Sequence, residues 1–336
     1  MLHIDGSQGE GGGQILRTAL SMSMITGTEV KLENIRAGRQ KPGLMRQHLA
    51  CVNAAKAICN AQVSGAKAGS TSVMFKPGAI QAGDYEFSVG TAGSTMLIFQ
   101  TVLPALIQTD SISRLSFHGG THNMLAPSYD FVAEAMLAVL KPMGIQVEMK
   151  LKRHGFYPQG GGQWSALIHP AKNIKRLKLI DAGDLIKQQA VITSSNLPEH
   201  IALREINEIK QCIDWSDKEI QNQLVRSMGS GNIVSLRLYY QNCTEVIECV
   251  GKIGVSAERV ARSSITDLKR YRSSKAVIGE HLADQLMLPM AIGKGGVFRT
   301  LKPSQHSWTN REVIHQFIDK RFKFEKLGKD YWEIRL

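Results

Sequence analysis

Three glycines followed by a glutamine, Gly11-Gly12-Gly13-Gln14, return unaltered at Gly160-Gly161-Gly162-Gln163 and in weaker form at Gly293-Lys294-Gly295-Gly296. Glycine-rich turns this far apart point to a fold that repeats a strand–helix unit, each copy with its own turn. Their spacing is irregular, so a solenoid, which needs short and regular repeats, is not expected.

The elements between the turns alternate in kind. Residues 13–26 carry Ile15, Leu16, Ala19, Leu20 and Met22 on one helical face. A short strand over 29–32 follows, then a helix over 42–60 with Pro42 in its first turn. Strands near 72–76 and 85–89, a helix over 94–108, a strand over 115–118, a helix over 128–143 and strands over 145–152 and 163–169 complete the first half. Alternation of this kind means α/β or α+β. From about residue 182 to 272 the glycine turns thin out. Charged helical segments appear there over 199–215, 217–228 and 256–271, with a strand pair over 233–240 and 244–250. After Ser273 the earlier pattern returns. A segment unlike two flanks that resemble each other reads as an inserted domain, which divides the chain into 1–181 plus 273–336 and an insert of 182–272.

Bulk composition narrows the function classes. Hydrophobic residues make up 43% of the 336, so the chain is globular. No apolar run is long enough to span a membrane, and Met1 to Gly6 has no signal-peptide character. The five cysteines are odd in number and none forms a CxxC pair, as expected of free thiols in a reducing cytoplasm and not of a zinc site. The formal net charge is +12, which suits a polyanionic partner but equally a plain basic protein.

Five segments carry chemistry-bearing residues. In Asp5 to Arg17 a glycine loop enters a helix, an arrangement that presents backbone N–H groups and the positive end of the helix dipole to phosphate. It is neither a P-loop nor a clear dinucleotide turn. Glu10 within it can ligate a divalent metal, or simply be solvated at a sharp turn. Arg36, Arg39, Lys41, Arg46 and His48 crowd a Pro-Gly helix entry, and such a cluster repels itself unless an anion sits in it. In His118-Gly119-Gly120-Thr121-His122-Asn123 two histidines have HxxxH spacing without an HExxH helix or a third ligand, so a pocket-lining loop is favoured over a metal site. His281, Asp284 and Gln285 share a helical face, with Leu282, Leu286 and Pro289 toward the core. Finally, Ser304-Gln305-His306-Ser307-Trp308-Thr309-Asn310 places one imidazole in a polar, loop-like segment. A histidine there can reach and attack a phosphate, although most loop histidines are merely solvated.

Together these segments resemble the RNA 3′-terminal phosphate cyclase family over essentially the whole chain. The likeness rests on GxGGGQILR at 9–17, RAGRxKPGLxRQHL at 36–49, GGTHN at 119–123, RHGFYPxGGG at 153–162, GEHLADQLxLPMA at 279–291 and SxHxxTN at 304–310. The resemblance implies an α+β fold, a large domain of three βαβαββ-type repeats with a smaller inserted α/β domain. It implies a ligase-type enzyme that uses ATP and a divalent metal, Mg²⁺ or Mn²⁺, to turn an RNA 3′-phosphate into a 2′,3′-cyclic phosphate. His306 would be the nucleophile that carries AMP. Glu10 would hold the metal, and Arg17, Arg36, Arg39, Gln47 and His48 the phosphates of ATP or of the RNA end. Gln100, Pro127, His281, Leu282, Ala283, Asp284 and Gln285 would bind the nucleotide, with Pro127 and His281 either side of the adenine. One departure from the family pattern is His281, where members often carry tyrosine; imidazole stacks with less area. A dimer is compatible with the sequence, but no residue argues for it.

Two other classes compete. A cyclase-like RNA-binding relative working in ribosome assembly would lack the nucleophilic histidine, which is present here. An enolpyruvyl transferase would share the repeats but not the histidine motif.

Overall fold

The computed structural model describes residues 1–336. It is an α+β protein built on three four-stranded sheets of one topology. In the first, β1 (Leu2–Asp5) and β2 (Val30–Glu33) are parallel, β4 (Val73–Lys76) is antiparallel to β2, and β3 (Gln62–Ser64) lies outside β4. Helices α1 (Gln14–Thr26) and α2 (Arg46–Cys59) follow β1 and β2. The second sheet repeats this order with β5 (Asp84–Ser88), β6 (Ser113–Gly119), β8 (Gly162–Ile168) and β7 (Val147–Arg153). Its helices are α3 (Met96–Leu106) and a π-helical turn, Phe131–Met136, running into α4 (Leu137–Leu140).

In the third sheet β9 (Leu177–Leu179) takes the place of β1, but its parallel neighbour comes far later in the chain. Between them stand the elements of a fourth sheet. These are β10 (Leu185–Ser195), α5 (Glu199–Cys212), β11 (Ile220–Leu224), β12 (Gly231–Tyr240), β13 (Thr244–Val250) and α6 (Ala257–Ser273). The chain then resumes with α7 (Glu280–Ile292), β14 (Gly296–Thr300), α8 (Gln305–Phe317), β15 (Lys323–Lys326) and β16 (Trp332–Arg335). Pairing of β14 with β9 is parallel and with β16 antiparallel, as in the other two sheets. The element order βαβαββ thus occurs three times.

One apolar core serves all three sheets, running from Ile4 through Phe99 and Phe117 to Ile334. Helix α1 packs against α2, α3 and α8 within it. A second core, centred on Ile192, Leu236 and Leu268, belongs to the fourth sheet and its two helices. A polar joint ties that sheet to the second repeat: Arg237 of β12 reaches Asp130 at 3.1 Å and also pairs with Glu134, which accepts from the Tyr239 hydroxyl. Burial pushes the Asp130 carboxyl up, but His122 and Arg237 outweigh it and hold it at about 2.

Four expectations from the sequence are corrected here. The glycine echoes do not mark equivalent points. Gly11–Gly13 leads into a helix, whereas Gly160–Gly162 and Gly293–Gly296 lead into strands. The true counterpart of the first loop is the one ahead of α3, with Gly90 and Gly93. The helix expected over 42–60 begins only at Arg46. Gly43 has φ 81°, and a Cβ there would lie 2.3 Å from the Gly69 carbonyl, so 42–45 is held out of helical conformation. The segment 217–228 is one 3₁₀ turn followed by β11, parallel to β10 at the edge of the fourth sheet. Its polar residues suit an exposed edge strand and imitate a polar helix face. Last, His122 is not a side chain lining an open pocket. His122 is fully buried, stacked 4.9 Å from the His154 ring and 2.8 Å from Thr121 Oγ1.

Gly43→Ala should cost about 2 kcal/mol, the order expected for a side chain forced to positive φ against a fixed carbonyl. Urea unfolding checks this, and wild-type stability would show that the 36–45 turn yields.

Candidate active site

The three chain segments around the glycine loop meet at the N-terminal ends of α1 and α8. His306 is not in a loop. Ser304 caps α8, its hydroxyl accepting the Ser307 N–H at 3.4 Å, and His306 is the second residue of the helix. A polar first turn is what an N-terminus requires, so in sequence it resembles a loop. His306 therefore sits at the positive end of a helix dipole, which favours anions and disfavours imidazolium.

Glu10 is nearly buried and organises the site. Its Oε1 accepts the Gln14 N–H at 3.0 Å in the first turn of α1. Its Oε2 lies 3.3 Å from Arg39 Nη2 and 3.1 Å from Nδ1 of His306, close but without an aligned hydrogen bond. Burial lowers the His306 pKa; Glu10 opposes this, and Arg17, His281 and Arg39 add to the lowering. The ring is therefore neutral at pH 7. A carboxylate beside Nδ1 favours the proton on that nitrogen and leaves the Nε2 lone pair free.

The glycines of the loop are required by close approach. A Cβ at Gly12 would lie 2.6 Å from Glu10 Oε1 and 2.7 Å from Arg39 Nη2, and one at Gly13 would lie 2.4 Å from His48 Nε2. His48 is buried on the first turn of α2, and its Nδ1 accepts the Met45 N–H at 3.3 Å. Burial, then Arg17, Arg36 and Arg39, depress it to about 3, so it too is neutral. Arg36, at φ 57°, spends its guanidinium on the carbonyls of Lys41 at 2.6 Å and Gly43 at 2.9 Å. It shapes the turn that presents the exposed Arg39. Gln47 lies beside the α3 loop, its Cβ 3.1 Å and its Oε1 3.4 Å from where a Gly93 Cβ would stand.

Next to this end, a cavity opens between α1, α3 and α7, lined by Gln14, Arg17, Gln100, Asp284, Gln285 and Asn310 among others. Gln100 donates to Gln285, which donates to Asp284, and Arg17 donates to Gln14. Asp284 is buried rather than on an outer polar face. Burial pushes its carboxyl up to about 7, against Gln285 and Arg17. His281 on the same helix is exposed, while Leu282 and Ala283 have no accessible surface and pack in the core behind it. Pro127 is half-buried just ahead of the π-helical turn, which packs on α7.

Sequence reasoning missed two residues that hold the site together. The Thr309 hydroxyl accepts the Glu10 N–H at 3.2 Å. The Asn310 side-chain oxygen accepts from Gln14 at 2.8 Å and Thr18 at 2.5 Å, while its amide donates to the Asp284 carbonyl at 3.1 Å. Their place directly after His306 on a helix was the available signal, hidden by reading the segment as loop.

No group of three His, Cys, Asp or Glu side chains that could hold a metal gathers in the chain. The donor set at Glu10 is one carboxylate among arginines. That fits a hard ion such as Mg²⁺, which keeps waters and takes its other ligands from phosphates.

The arrangement presents a neutral nucleophile, fixed cations and helix ends to an anionic ligand. Residues 8–324 match the family model described as RNA 3′-terminal phosphate cyclase. The chain belongs to that family. It is 44% identical to the RNA 3′-terminal phosphate cyclase of Salmonella typhimurium (strain LT2) over 98% of this chain and 97% of that protein. Identity to the protein of the same name from Koribacter versatilis is 43%, over 97% and 92%. Also in keeping with the sequence, no helix is long and apolar enough to cross a membrane.

Between pH 3.8 and about 7 Asp284 is protonated when folded and ionised when unfolded, so its contribution to stability falls as pH rises through that window. Asp284→Asn should therefore gain stability relative to the wild type as pH goes from 4 to 7. Parallel curves in thermal unfolding would place the carboxylate in a better solvated setting.

Proposed function

We propose that the protein is an ATP-dependent RNA 3′-terminal phosphate cyclase that works through a covalent His306–AMP intermediate. The observation that carries this reading is the 3.1 Å approach of Glu10 to His306 Nδ1 at the N-terminus of α8. Neutral Nε2 attacks the α-phosphorus of ATP, a P–N bond forms, and the P–O bond to pyrophosphate breaks. The RNA 3′-phosphate then displaces the imidazole and takes the AMP. The vicinal 2′-OH attacks the RNA phosphorus, loses its proton, and expels AMP as the ring closes. Covalent catalysis divides a hard condensation into displacements with good leaving groups.

Each residue has a part in this reading. Glu10 orients His306 and would hold the divalent metal, which when bound supplies charge neutralisation at the ATP phosphates. Glycine-loop N–H groups, Arg17, Arg39, Gln47 and His48 receive phosphate oxygens of ATP or of the RNA end, while Arg36 acts through the turn it closes. Gln100, Asp284 and Gln285 line the cavity next to the phosphate end and receive the nucleoside there; Pro127 and His281 flank the base, with Leu282 and Ala283 packed in the core behind them. The fourth sheet and its helices, residues 182–272, form a separate insert domain, and the enzyme acts in the cytoplasm.

Two outcomes test the reading. Incubation with α-phosphate-labelled ATP and Mg²⁺ or Mn²⁺ should label the wild type with an acid-labile, alkali-stable adduct that RNA 3′-phosphate chases. His306→Ala should take no label, a loss of at least about 10³-fold, with folding intact. A labelled His306→Ala, or an unlabelled wild type that binds ATP, overturns it. His281→Tyr should lower the Michaelis constant for ATP several-fold if the ring stacks on the base; an unchanged constant removes His281 from the base site.

A further inference from the structure

Acidic residues are missing from long tracts of this chain. None occurs between Glu33 and Asp84, between Glu86 and Asp110, between Asp110 and Asp130, between Glu148 and Asp181, or between Glu219 and Glu245. The fold brings loops from all five tracts side by side. His48 Nε2 stands against Gly13, and Gln47 against Gly93. Gly120 donates to the Gly93 carbonyl at 2.9 Å, and Thr121 and Gly155 exchange hydrogen bonds of 2.9 Å. A Cβ on Gly160 would be 2.7 Å from Ala92 Cα, and one on Gly161 would be 2.2 Å from Met228 Sδ. From Gln47 to Met228 the packing of these acid-free tracts is continuous; Ala92, Gly120, Thr121, Gly155 and Gly160 are buried within it, and Gly90, Tyr157, Gln159 and Met228 are what it exposes.

The far end of this path is a built shelf. Tyr157 is 74% exposed and Met228 63% exposed, on turns joined by a bridge between His154 and Ser227. Gly229 packs on Gln159 and Gly231 on the Phe156 ring, and Asn196 donates to the Ser227 carbonyl at 3.1 Å. Arg153 donates to the Gly161 carbonyl at 2.6 Å, while the exposed Lys152 and Arg226 have no carboxylate partner. An exposed aromatic on a fixed turn, with exposed cations on the two segments joined by the His154–Ser227 bridge, is the chemistry that holds single-stranded nucleic acid, one base face and one phosphate at a time.

We propose that the RNA strand leaving the reacting 3′ end runs over the 89–95 loop onto this shelf, where Tyr157 stacks on a base and Arg226 pairs with a phosphate. The proposal rests on the cyclase reading for the identity of the strand. It assigns the Tyr157–Gly161 turn and the 224–229 segment to the body of the substrate, away from the reacting atoms.

Fluorescence anisotropy with a 3′-phosphorylated single strand of about ten nucleotides tests it, beside a 3′-phosphorylated dinucleotide and labelling of His306 by ATP. Tyr157→Ala and Arg226→Glu should each weaken the longer strand about tenfold, the order of one base–aromatic stack. Arg226→Ala should lower the slope of log affinity against log salt by about 0.7. Dinucleotide cyclisation and adenylation should stay at wild-type levels, because both residues lie off the reacting centre. Undiminished binding of the longer strand by both variants overturns the path, as does an equal loss for strand and dinucleotide. Adenylation is read separately, so a wild type that takes label yet holds the longer strand no better than the dinucleotide discards the path and leaves the cyclase reading standing.

Discussion

The side chain of Asn310 joins three helices at the site. It accepts from Gln14 and Thr18 of α1 and donates to the Asp284 carbonyl of α7, while itself standing on α8 one turn beyond His306. It is 3% exposed, so these bonds form in a setting where an unpaired amide is costly. The first repeat supplies the glycine loop, the third supplies the histidine, and this amide fixes the distance between them. Thr309 does the same for the backbone of Glu10. Glu10 and His306 can lie 3.1 Å apart only because the helix ends carrying them are locked together first.

Electrostatics at the site follows from this joint. The cationic turn of 36–41 is self-repelling, yet it is closed by Arg36 bonding backbone carbonyls and by Arg39 meeting Glu10. Two imidazoles among these charges, His48 and His306, are kept neutral by burial and by the arginines together. Only one is open enough to attack a ligand: His48 is 4% exposed, whereas His306 has 43% of its side chain exposed. Burial thus separates a histidine held in place from one able to react, though in sequence both are histidines among polar neighbours.

Much of this was legible beforehand. Periodicity found α1, α3 and the strands of the first two repeats except the short β1 and β3, because their apolar spacing is set by a core they share. The break in composition after residue 181 was visible because the fourth sheet has its own core. Threefold symmetry was legible only in outline. The repeated GGGQ is a coincidence of local need: Gly13 clears His48, while Gly161 clears Met228. Topology repeats here, and sequence does not. The α8 N-terminus was read as loop because its cap and first turn are polar, which concealed Thr309 and Asn310. Burial of Asp284 and His122 was not legible either, since both depend on partners distant in sequence, Arg17 for one and His154 and Phe156 for the other.

The third sheet pairs β9 with β14 across the whole of the fourth sheet. A ribosome releases β9 long before β14, and the intervening segment can bury its own core in the meantime. The first two repeats can likewise form early, since their strands are near neighbours in sequence, whereas the third must await closure of a long loop. His306, Thr309 and Asn310 arrive last of all. The nascent chain therefore carries the residues of a phosphate cradle with no nucleophile until synthesis is nearly complete, and until α8 packs on α1 the cradle lacks the Thr309 and Asn310 bonds that hold it.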